Sequence, residues 1–291
     1  MSQGVVFEKD PETKIATITL NRPEQLNATT MADLEEINGL ILDINRDDDV
    51  KVVIFKGNGP AFCSGHDMEE TRIMYAGAGG RRPSQREKLL VDYERLFGRR
   101  GVWTTIATCW KGTIAQVHGY CYGQGLYLAM AADMIIAAEN SLFTHPGWLY
   151  MGPISTWQLI MHTGLKKAKE MMLTGRVIEA QEAYETGLIN RLVPLDKLEA
   201  EVREAAVSIA QLPLDGIVLG KVQFETALDA MGMHQGYVTM AALHTLQTNL
   251  RFEPGEFNLV KELRDKGSSG AFRASDAYYK VRRKKMQRSE T

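Results

Sequence analysis

Three observations predict an α/β fold with a largely parallel sheet. Residues 52–55 (VVIF) form a short apolar run of the kind found in strands that are covered on both faces. Residues 15–20 are rich in β-branched side chains, and apolar residues recur at helical spacing over residues 31–41. Strand, helix and strand in this order imply a right-handed crossover between parallel strands.

The first elements end at recognisable sequence signals. Residues 5–7 and 15–20 flank the turn sequence DPET and predict a hairpin. Pro23 ends its second strand, because proline has no N–H to offer a sheet ladder. Thr30 is placed to cap the helix that follows. Residues 75–83 are rich in glycine and arginine and predict a mobile loop.

The remaining elements complete a core and add a helical region. Ser84 is placed to cap a helix, and from Leu195 onward the pattern is helical without strands. We therefore predict an α/β core at residues 1–200, which carries the site, and a helical oligomerisation region at residues 201–291. Other elements are predicted at 114–117 (strand), 125–132 (helix), 134–138 (strand), 168–173 (helix, stopped by Gly175) and 179–187 (helix).

Composition excludes several classes of protein. The 291 residues are 44% hydrophobic, which is ample for a packed core, and the net charge of −2 lacks the basic excess of a nucleic-acid partner. No apolar run reaches the ~18 residues that span a membrane. The first residues carry acids and no apolar signal core, and the three cysteines form no CxxC pair. We expect a cytoplasmic protein with free thiols, no metal site, and no nucleic-acid or membrane partner.

Two glycine-rich turns follow predicted strands. Residues 57–67 read GNGPAFCSGHD and residues 118–127 read HGYCYGQGLY. Ligands bind at the carboxyl ends of strands in such sheets, and a helix start offers unpaired N–H groups. Two such groups, one from each turn, could converge on one carbonyl oxygen and stabilise it as an oxyanion. Neither turn fits GxxxxGK[ST] or GxGxxG, so phosphate-loop and dinucleotide sites are excluded.

Five segments carry a family resemblance in the family's order. They are ITLNRPEQLNATT, VVIFKGNGPAFCSGHDM, IAQVHGYCYGQGLYLAMAADMIIAAENSLFTHPG, KKAKEMMLTGRVIEAQEAYETGLINRLVP and ELRDKGSSGAF. Over Val5 to about Lys266 the chain resembles the crotonase (enoyl-CoA hydratase/isomerase) superfamily. The resemblance implies a spiral of ββα units, a C-terminal helical trimerisation region and a homotrimer or hexamer. It also implies acyl-CoA substrates from fatty or aromatic acid metabolism, with coenzyme A as part of the substrate and no permanently bound cofactor.

The resemblance also assigns site residues. The two oxyanion-hole amides of the family fall on Ser64 and Gln124. The turn that binds coenzyme A falls on Ser64, Gly65, His66 and Asp67, with Gln124 beside it. The two glutamates of enoyl-CoA hydratases fall on Tyr127 and Gly147, so both are missing from this chain.

The missing glutamates leave the proton-transfer group open. Glycine can neither donate nor accept a proton through its side chain, and tyrosine, with a pKa near ~10, is a poor base. His145, two residues before Gly147, has an ordinary pKa of ~6.5 that suits proton transfer, or it points away and bonds a backbone carbonyl. Tyr127 either donates a hydrogen bond to substrate or packs within its helix. Our catalytic candidates are Ser64, Gln124, Tyr127 and His145.

Several further alternatives stay open at this stage. Trp148 and Tyr150 either line an acyl pocket or belong to the core, while Cys63 and Cys121 are expected to be buried hydrophobes. The basic tail at residues 280–288 is either a solvated end or a contact to the phosphates of coenzyme A. The leading function is an enzyme that forms a thioester enolate. The alternatives are a hydrolase or decarboxylase acting on a thioester or β-keto bond, and a non-catalytic acyl-CoA-binding protein.

Overall fold

The computed structural model describes residues 4–76, 83–150 and 157–279. Within them lie the strands β1 (Val5–Asp10), β2 (Ile15–Leu20), β3 (Val52–Gly57), β4 (Gly112–Val117), β5 (Tyr120–Tyr122), β6 (Met134–Ala138), β7 (Leu142–Thr144), β8 (Ile178–Glu179) and β9 (Arg191–Val193). Six of them form a sheet in the order β1-β2-β3-β4-β6-β9, and the other three form a second sheet, β5-β7-β8. All pairs in the larger sheet are parallel except the β1-β2 hairpin, as the sequence predicts.

The helices of the described residues follow the predicted pattern. Thr30 caps the first helix in a reciprocal capping box with Asp33, and Ser84 caps the third in a box with Glu87. The helices are α1 (Met31–Ile44), α2 (Met68–Ala76), α3 (Gln85–Val91), α4 (Val102–Ala107), α5 (Gln124–Ala131), α6 (Gly147–Tyr150), α7 (Trp157–Thr174), α8 (Ala180–Glu185), α9 (Leu198–Ala210), α10 (Leu214–Ala230), α11 (Met233–Leu246) and α12 (Leu259–Tyr279). A π-helical segment, Asp92–Phe97, continues α3.

Strand, short strand and helix repeat along the chain. Strand β4 of the large sheet is followed by β5 of the small sheet and then by α5, and β6, β7 and α6 repeat the order. Strand β5 pairs in parallel with β7, so the two units lie side by side. This is the spiral of ββα units that the resemblance implies.

The large sheet is covered on both faces, which explains its unbroken apolar runs. In β3, Val53 and Phe55 join the main core, whereas Val52 and Ile54 face a second cluster with α9. Because α9 packs on the sheet, the predicted boundary at residue 200 falls inside a helix of the core. The helices α10, α11 and α12 follow it.

Two of the predicted segments fall, wholly or in part, outside the described residues. They are residues 77–82 of the predicted loop and the tail at 280–288.

Across residues 4–76, 83–150 and 157–279, no helix alone has the length and apolarity to cross a membrane. One sharply bent pair, Leu195–Ala210 with Leu214–Ala230, reaches the threshold on length and composition only.

The start of α5 packs so closely on the first turn that it needs a glycine. A Cβ on Gly125 would lie 2.6 Å from both the Cβ and the carbonyl oxygen of Cys63. We expect Gly125→Ala to lower the free energy of unfolding by about 1–3 kcal/mol, the usual cost of overpacking. Gly39 is the control, because it lies inside α1 with nothing within 4 Å of an added Cβ. Gly39→Ala should stabilise by about 0.5–1 kcal/mol. Equal urea midpoints for the two variants would contradict this packing.

Candidate active site

One cavity of about 900 Å³ collects the residues that the sequence singles out. Its walls come from the two glycine-rich turns, α4, α6, the π-helical segment, α11 and α12. A space of this size accommodates a small molecule the size of a cofactor. The seven residues predicted for the site all line it: Ser64, Gly65, His66, Asp67, Gln124, Tyr127 and His145.

Main-chain hydrogen bonds join the two turns. The N–H of Cys63 donates to Tyr120 O at 2.9 Å, and the N–H of Tyr122 donates to Cys63 O at 2.9 Å. Gly65 has φ +112°, and a Cβ there would lie 3.2 Å from Tyr122 O, so glycine suits both the backbone and the contact. The Thr29 hydroxyl donates to Gln124 Oε1 at 2.6 Å and ties a third segment to the pair. Hydrogen bonds therefore hold the two turns together where they line the cavity.

The structure corrects one of the two predicted oxyanion donors. The N–H of Ser64 donates to Leu26 O at 3.0 Å, so this amide is used by the fold. Thr29 pairs with the main chain on either side of His66, through Gly65 O and the N–H of Asp67, which turns the His66 N–H the opposite way. The N–H groups of His66 and of Gln124, the first residue of α5, have no hydrogen-bond partner among the described residues. Because both residues line the cavity, these two amides are candidate donors to a ligand.

Tyr127 and Gly147, to which the resemblance assigns the family's glutamate positions, both line the cavity. Tyr127 is buried, its ring centroid is 4.8 Å from that of His145, and burial raises the pKa of its hydroxyl far above the ordinary value. Gly147 begins α6 and lines the same space. The tyrosine hydroxyl is therefore a hydrogen-bond donor and not a base.

The structure bears on both of the roles predicted for His145. It lines the cavity, so it does not point away, and burial lowers its pKa to about 3, so it is neutral at physiological pH. Its Nδ1 lies 3.3 Å from the N–H of Gly147 and accepts from it. The proton of the neutral ring is then on Nε2, which makes His145 a donor towards the cavity. Burial, which disfavours the charged ring, thus places the pKa of His145 below the near-neutral value expected from the sequence, and a catalytic role for His145 stays a prediction.

His66 and Asp67 have separate partners and do not form a dyad. The His66 Nδ1 lies 3.2 Å from Thr29 O and donates to it, and burial lowers the pKa of the ring to about 4. Asp67 accepts from Glu69 N at 2.9 Å at the start of α2 and pairs with Arg22 at 2.9 Å. Both residues shape the turn, as predicted.

The remaining predicted candidates lie on the cavity wall, in the core or at the surface. Tyr150 lines the cavity and also packs in a cluster with Phe257, so both alternatives apply to it. Trp148 is partly exposed and is not among the cavity residues. Cys63 and Cys121 are buried free thiols, as predicted, and burial raises the pKa of Cys63 to about 12. Over the described ranges, no group of three or more His, Cys, Asp or Glu side chains could hold a metal ion.

One pair of polar residues on the far wall was not predicted. His244 of α11 lines the cavity, and its Nδ1 lies 3.1 Å from Asp92 Oδ1. Asp92 pairs with Lys88, and both side chains are almost fully buried. The i, i+4 spacing of Lys88 and Asp92 was visible in the sequence, but nothing there relates them to His244, 152 residues later.

Comparison with known proteins gives the family. The family model described as enoyl-CoA hydratase/isomerase matches residues 10–257. Enoyl-CoA hydratase domain-containing protein 3, mitochondrial, of Rattus norvegicus is 33% identical over 214 residues, which cover 72% of this chain and 67% of the rat protein. A crystal structure of an enoyl-CoA hydratase/isomerase from Xanthobacter autotrophicus Py2 is 31% identical, with a TM-score of 0.78 over 95% of this chain and 98% of that one.

A third comparison concerns the fold alone. A crystal structure of an enoyl-CoA hydratase from Mycobacterium smegmatis has a TM-score of 0.80 at 24% identity, over 95% of this chain and 94% of the other. The mixed α/β core and C-terminal helical region thus match known crotonase folds, which confirms the predicted fold class. The chain belongs to the enoyl-CoA hydratase/isomerase family of the crotonase superfamily.

Proposed function

We propose that this protein is an enzyme that binds an acyl-CoA thioester and stabilises its enolate with the main-chain N–H groups of His66 and Gln124. The observation that carries the proposal is a pair of amides on two turns that touch each other, neither of which has a hydrogen-bond partner in the described part of the chain. Oxyanion holes use such preorganised donors, because they need no rearrangement when charge develops on the oxygen. The names of the related proteins, which refer to enoyl-CoA, support the thioester as substrate.

The cavity suits both parts of such a substrate. Apolar side chains, among them Phe97, Trp103 and Met240, are available to an acyl chain. Polar residues of the first turn and of the preceding segment, including Arg22 and Gln25, are available to the coenzyme A portion. In this arrangement Gly65, His66 and Asp67 form the coenzyme A-binding turn, while Ser64 contributes as part of the wall through its side chain.

Hydration by two glutamates is not part of the proposal. Tyr127 and Gly147 occupy the two positions. Of the acids that line the cavity, Asp67 and Glu69 are paired with Arg22 and Arg72, and Asp276 lies on α12. The neutral His145 and the protonated Tyr127 would serve as hydrogen-bond donors to substrate. We therefore expect an enolate-forming step such as isomerisation and only slow hydration of crotonyl-CoA, below about 1 per second.

The test is exchange of the α-protons of acyl-CoA thioesters. Wild-type enzyme is incubated in D₂O with a panel of saturated, β,γ-unsaturated and arylacetyl thioesters of coenzyme A, all of which carry acidic α-protons, and the α-proton signal is followed by NMR. Loss of the signal for at least one member, without release of free thiol, is the expected result. Thiol release would favour the hydrolase alternative, and binding without exchange of any member would favour the non-catalytic one.

We also propose that the chain assembles as a trimer or as a hexamer of two trimers. Helix α10 leaves large apolar side chains in water, with Leu219 70% and Phe224 68% exposed. We take these side chains as part of an interface, because large exposed apolar surfaces are typical of interaction sites. Light scattering should give three or six times the chain mass of 32.5 kDa. Leu219→Asp with Phe224→Asp should reduce that mass, whereas Leu42→Asp on the half-exposed face of α1 should not. A wild-type monomer would contradict the assembly.

A further inference from the structure

A buried ion pair lies behind the far wall of the cavity, and the function proposed so far gives it no role. Lys88 and Asp92 expose only 5% and 2% of their side chains, and Lys88 Nζ lies 3.2 Å from Asp92 Oδ1. Charges this deep are rare because their desolvation is costly. Asp92 also starts the π-helical segment, a type of distortion found frequently at functional sites.

The carboxylate of Asp92 connects this ion pair to the cavity. His244 Nδ1 lies 3.1 Å from Asp92 Oδ1, and the Thr245 hydroxyl donates to Asp92 Oδ2 at 2.8 Å. This contact has the distance of an ion pair but not the alignment of a hydrogen bond, so His244 Nδ1 has no hydrogen-bond partner among the described residues; catalytic contacts are often poorly aligned before substrate binds. The rings of Phe97 and His244 pack in a T-shaped arrangement, with their centroids 5.4 Å apart. With Nδ1 turned to Asp92, Nε2 is the nitrogen left for a substrate.

The other histidines on the cavity wall, and Tyr127, are poor bases. Tyr127 stays protonated, and His145 carries its proton on Nε2 because Nδ1 accepts from Gly147. The His66 ring has an acceptor at Nε2, but its Nδ1 donates to the uncharged Thr29 carbonyl, and its nearest carboxylate, Glu70, is 3.8 Å away. Among the described histidines that line the cavity, His244 alone has a carboxylate within 3.2 Å.

We propose that His244, oriented by Asp92, is the base that removes the α-proton of the acyl-CoA, with Lys88 and Thr245 as positioning residues for Asp92. This inference rests on the proposed function. The lone pair of Nε2 takes the proton as the C–H bond breaks. The bonding electrons form the enolate double bond, and the carbonyl π electrons move to the oxygen held by the His66 and Gln124 amides. Asp92 stabilises the imidazolium, which then returns the proton to a substrate carbon.

The charges around His244 set the pH at which it can act. Burial lowers the pKa of His244 below the ordinary 6.5. Asp92 acts against this and raises the pKa, whereas Lys88 lowers it further. A charged His244 would in turn lower the pKa values of His66 and His145. His244 is therefore neutral at pH 7 and competent as a base. Exchange should fall as the pH drops through this lowered pKa, below 6.5. Asp92→Asn removes the group that raises the pKa, so it should move this acidic limb to lower pH.

Variants of His244 test the proposal in the exchange assay. His244→Ala should slow α-proton exchange by about 10²–10⁴-fold, the usual contribution of a general base. Added imidazole should restore part of the loss, since the deleted ring leaves space on the cavity. His244→Gln, which keeps more of the packing, should lose a similar factor at an unchanged melting temperature. His234→Ala is the control, because His234 is on the same helix but does not line the cavity.

The outcomes separate this inference from the function beneath it. If wild-type enzyme exchanges no member of the acyl-CoA panel, the proposed function fails. If wild-type enzyme exchanges a thioester and folded His244→Ala or His244→Gln exchanges it equally fast, only the assignment of His244 is overturned. An acidic limb that does not move in Asp92→Asn overturns the role of Asp92. Loss of exchange, partial rescue by imidazole and a shifted limb together support it.

Discussion

Gln124→Pro should reduce the rate of α-proton exchange by about 10²–10³-fold, the cost of losing one oxyanion donor. Gln124 is the first residue of α5, and its N–H has no partner among the described residues. Proline is well tolerated at this position, because its fixed φ suits the helix and the missing N–H breaks no helical hydrogen bond. The substitution thus deletes the proposed donor and leaves the helix intact.

A matched variant isolates the amide from the side chain. Gln124→Ala keeps the N–H and removes the side chain, whose Oε1 accepts from the Thr29 hydroxyl. We expect its exchange rate to stay within a few-fold of wild type, since one neutral hydrogen bond is worth about 1 kcal/mol. If both variants are folded and lose activity equally, the amide of Gln124 is not the donor.

The largest effect on stability is expected at the buried ion pair. Lys88→Met leaves Asp92 charged and buried, and removing one partner of such a pair costs about 3–5 kcal/mol. The loss should be smaller at pH 5 than at pH 8, because a protonated His244, 3.1 Å from Asp92, can replace the missing charge. Urea denaturation at fixed protein concentration measures both values.

The double variant provides the control for this prediction. Lys88→Met with Asp92→Asn removes both charges, so it should recover a large part of the stability that Lys88→Met loses. A single variant as stable as wild type at pH 8 would show that the pair is solvated in solution. If the double variant loses as much free energy of unfolding as the two single variants together, or more, the two charges are not coupled.

Local sequence signals were sufficient for most of the fold. The apolar runs gave the strands, and Thr30 and Ser84 cap the helices predicted for them. These features depend on neighbours within a few residues, so periodicity and capping chemistry reveal them. The boundary at residue 200 was harder to place, because α9 is helical like the region after it but packs on the sheet like the core.

The site was predictable in its location but not in its chemistry. The glycines of the two turns indicated where the cavity lies, since such turns follow strands at one edge of a sheet. Two main-chain contacts decide which amide is left for a ligand. Thr29 bonds to the residues on either side of His66, so the N–H of His66 points away from Thr29. The carbonyl of Leu26 accepts a hydrogen bond from the N–H of Ser64. The low pKa of His145 arises from burial, and the approach of Asp92 to His244 joins segments 152 residues apart. Neither property has a local sequence pattern.

The central claim is that the amides of His66 and Gln124 together hold a thioester oxygen. The most direct measurement is a crystal structure of this protein with an acyl-CoA that it turns over slowly. We predict that the thioester oxygen lies about 2.7–3.1 Å from both amide nitrogens, the distance range of an oxyanion hole. A thioester oxygen bound away from these two nitrogens, with the acyl chain in the same cavity, would contradict the claim.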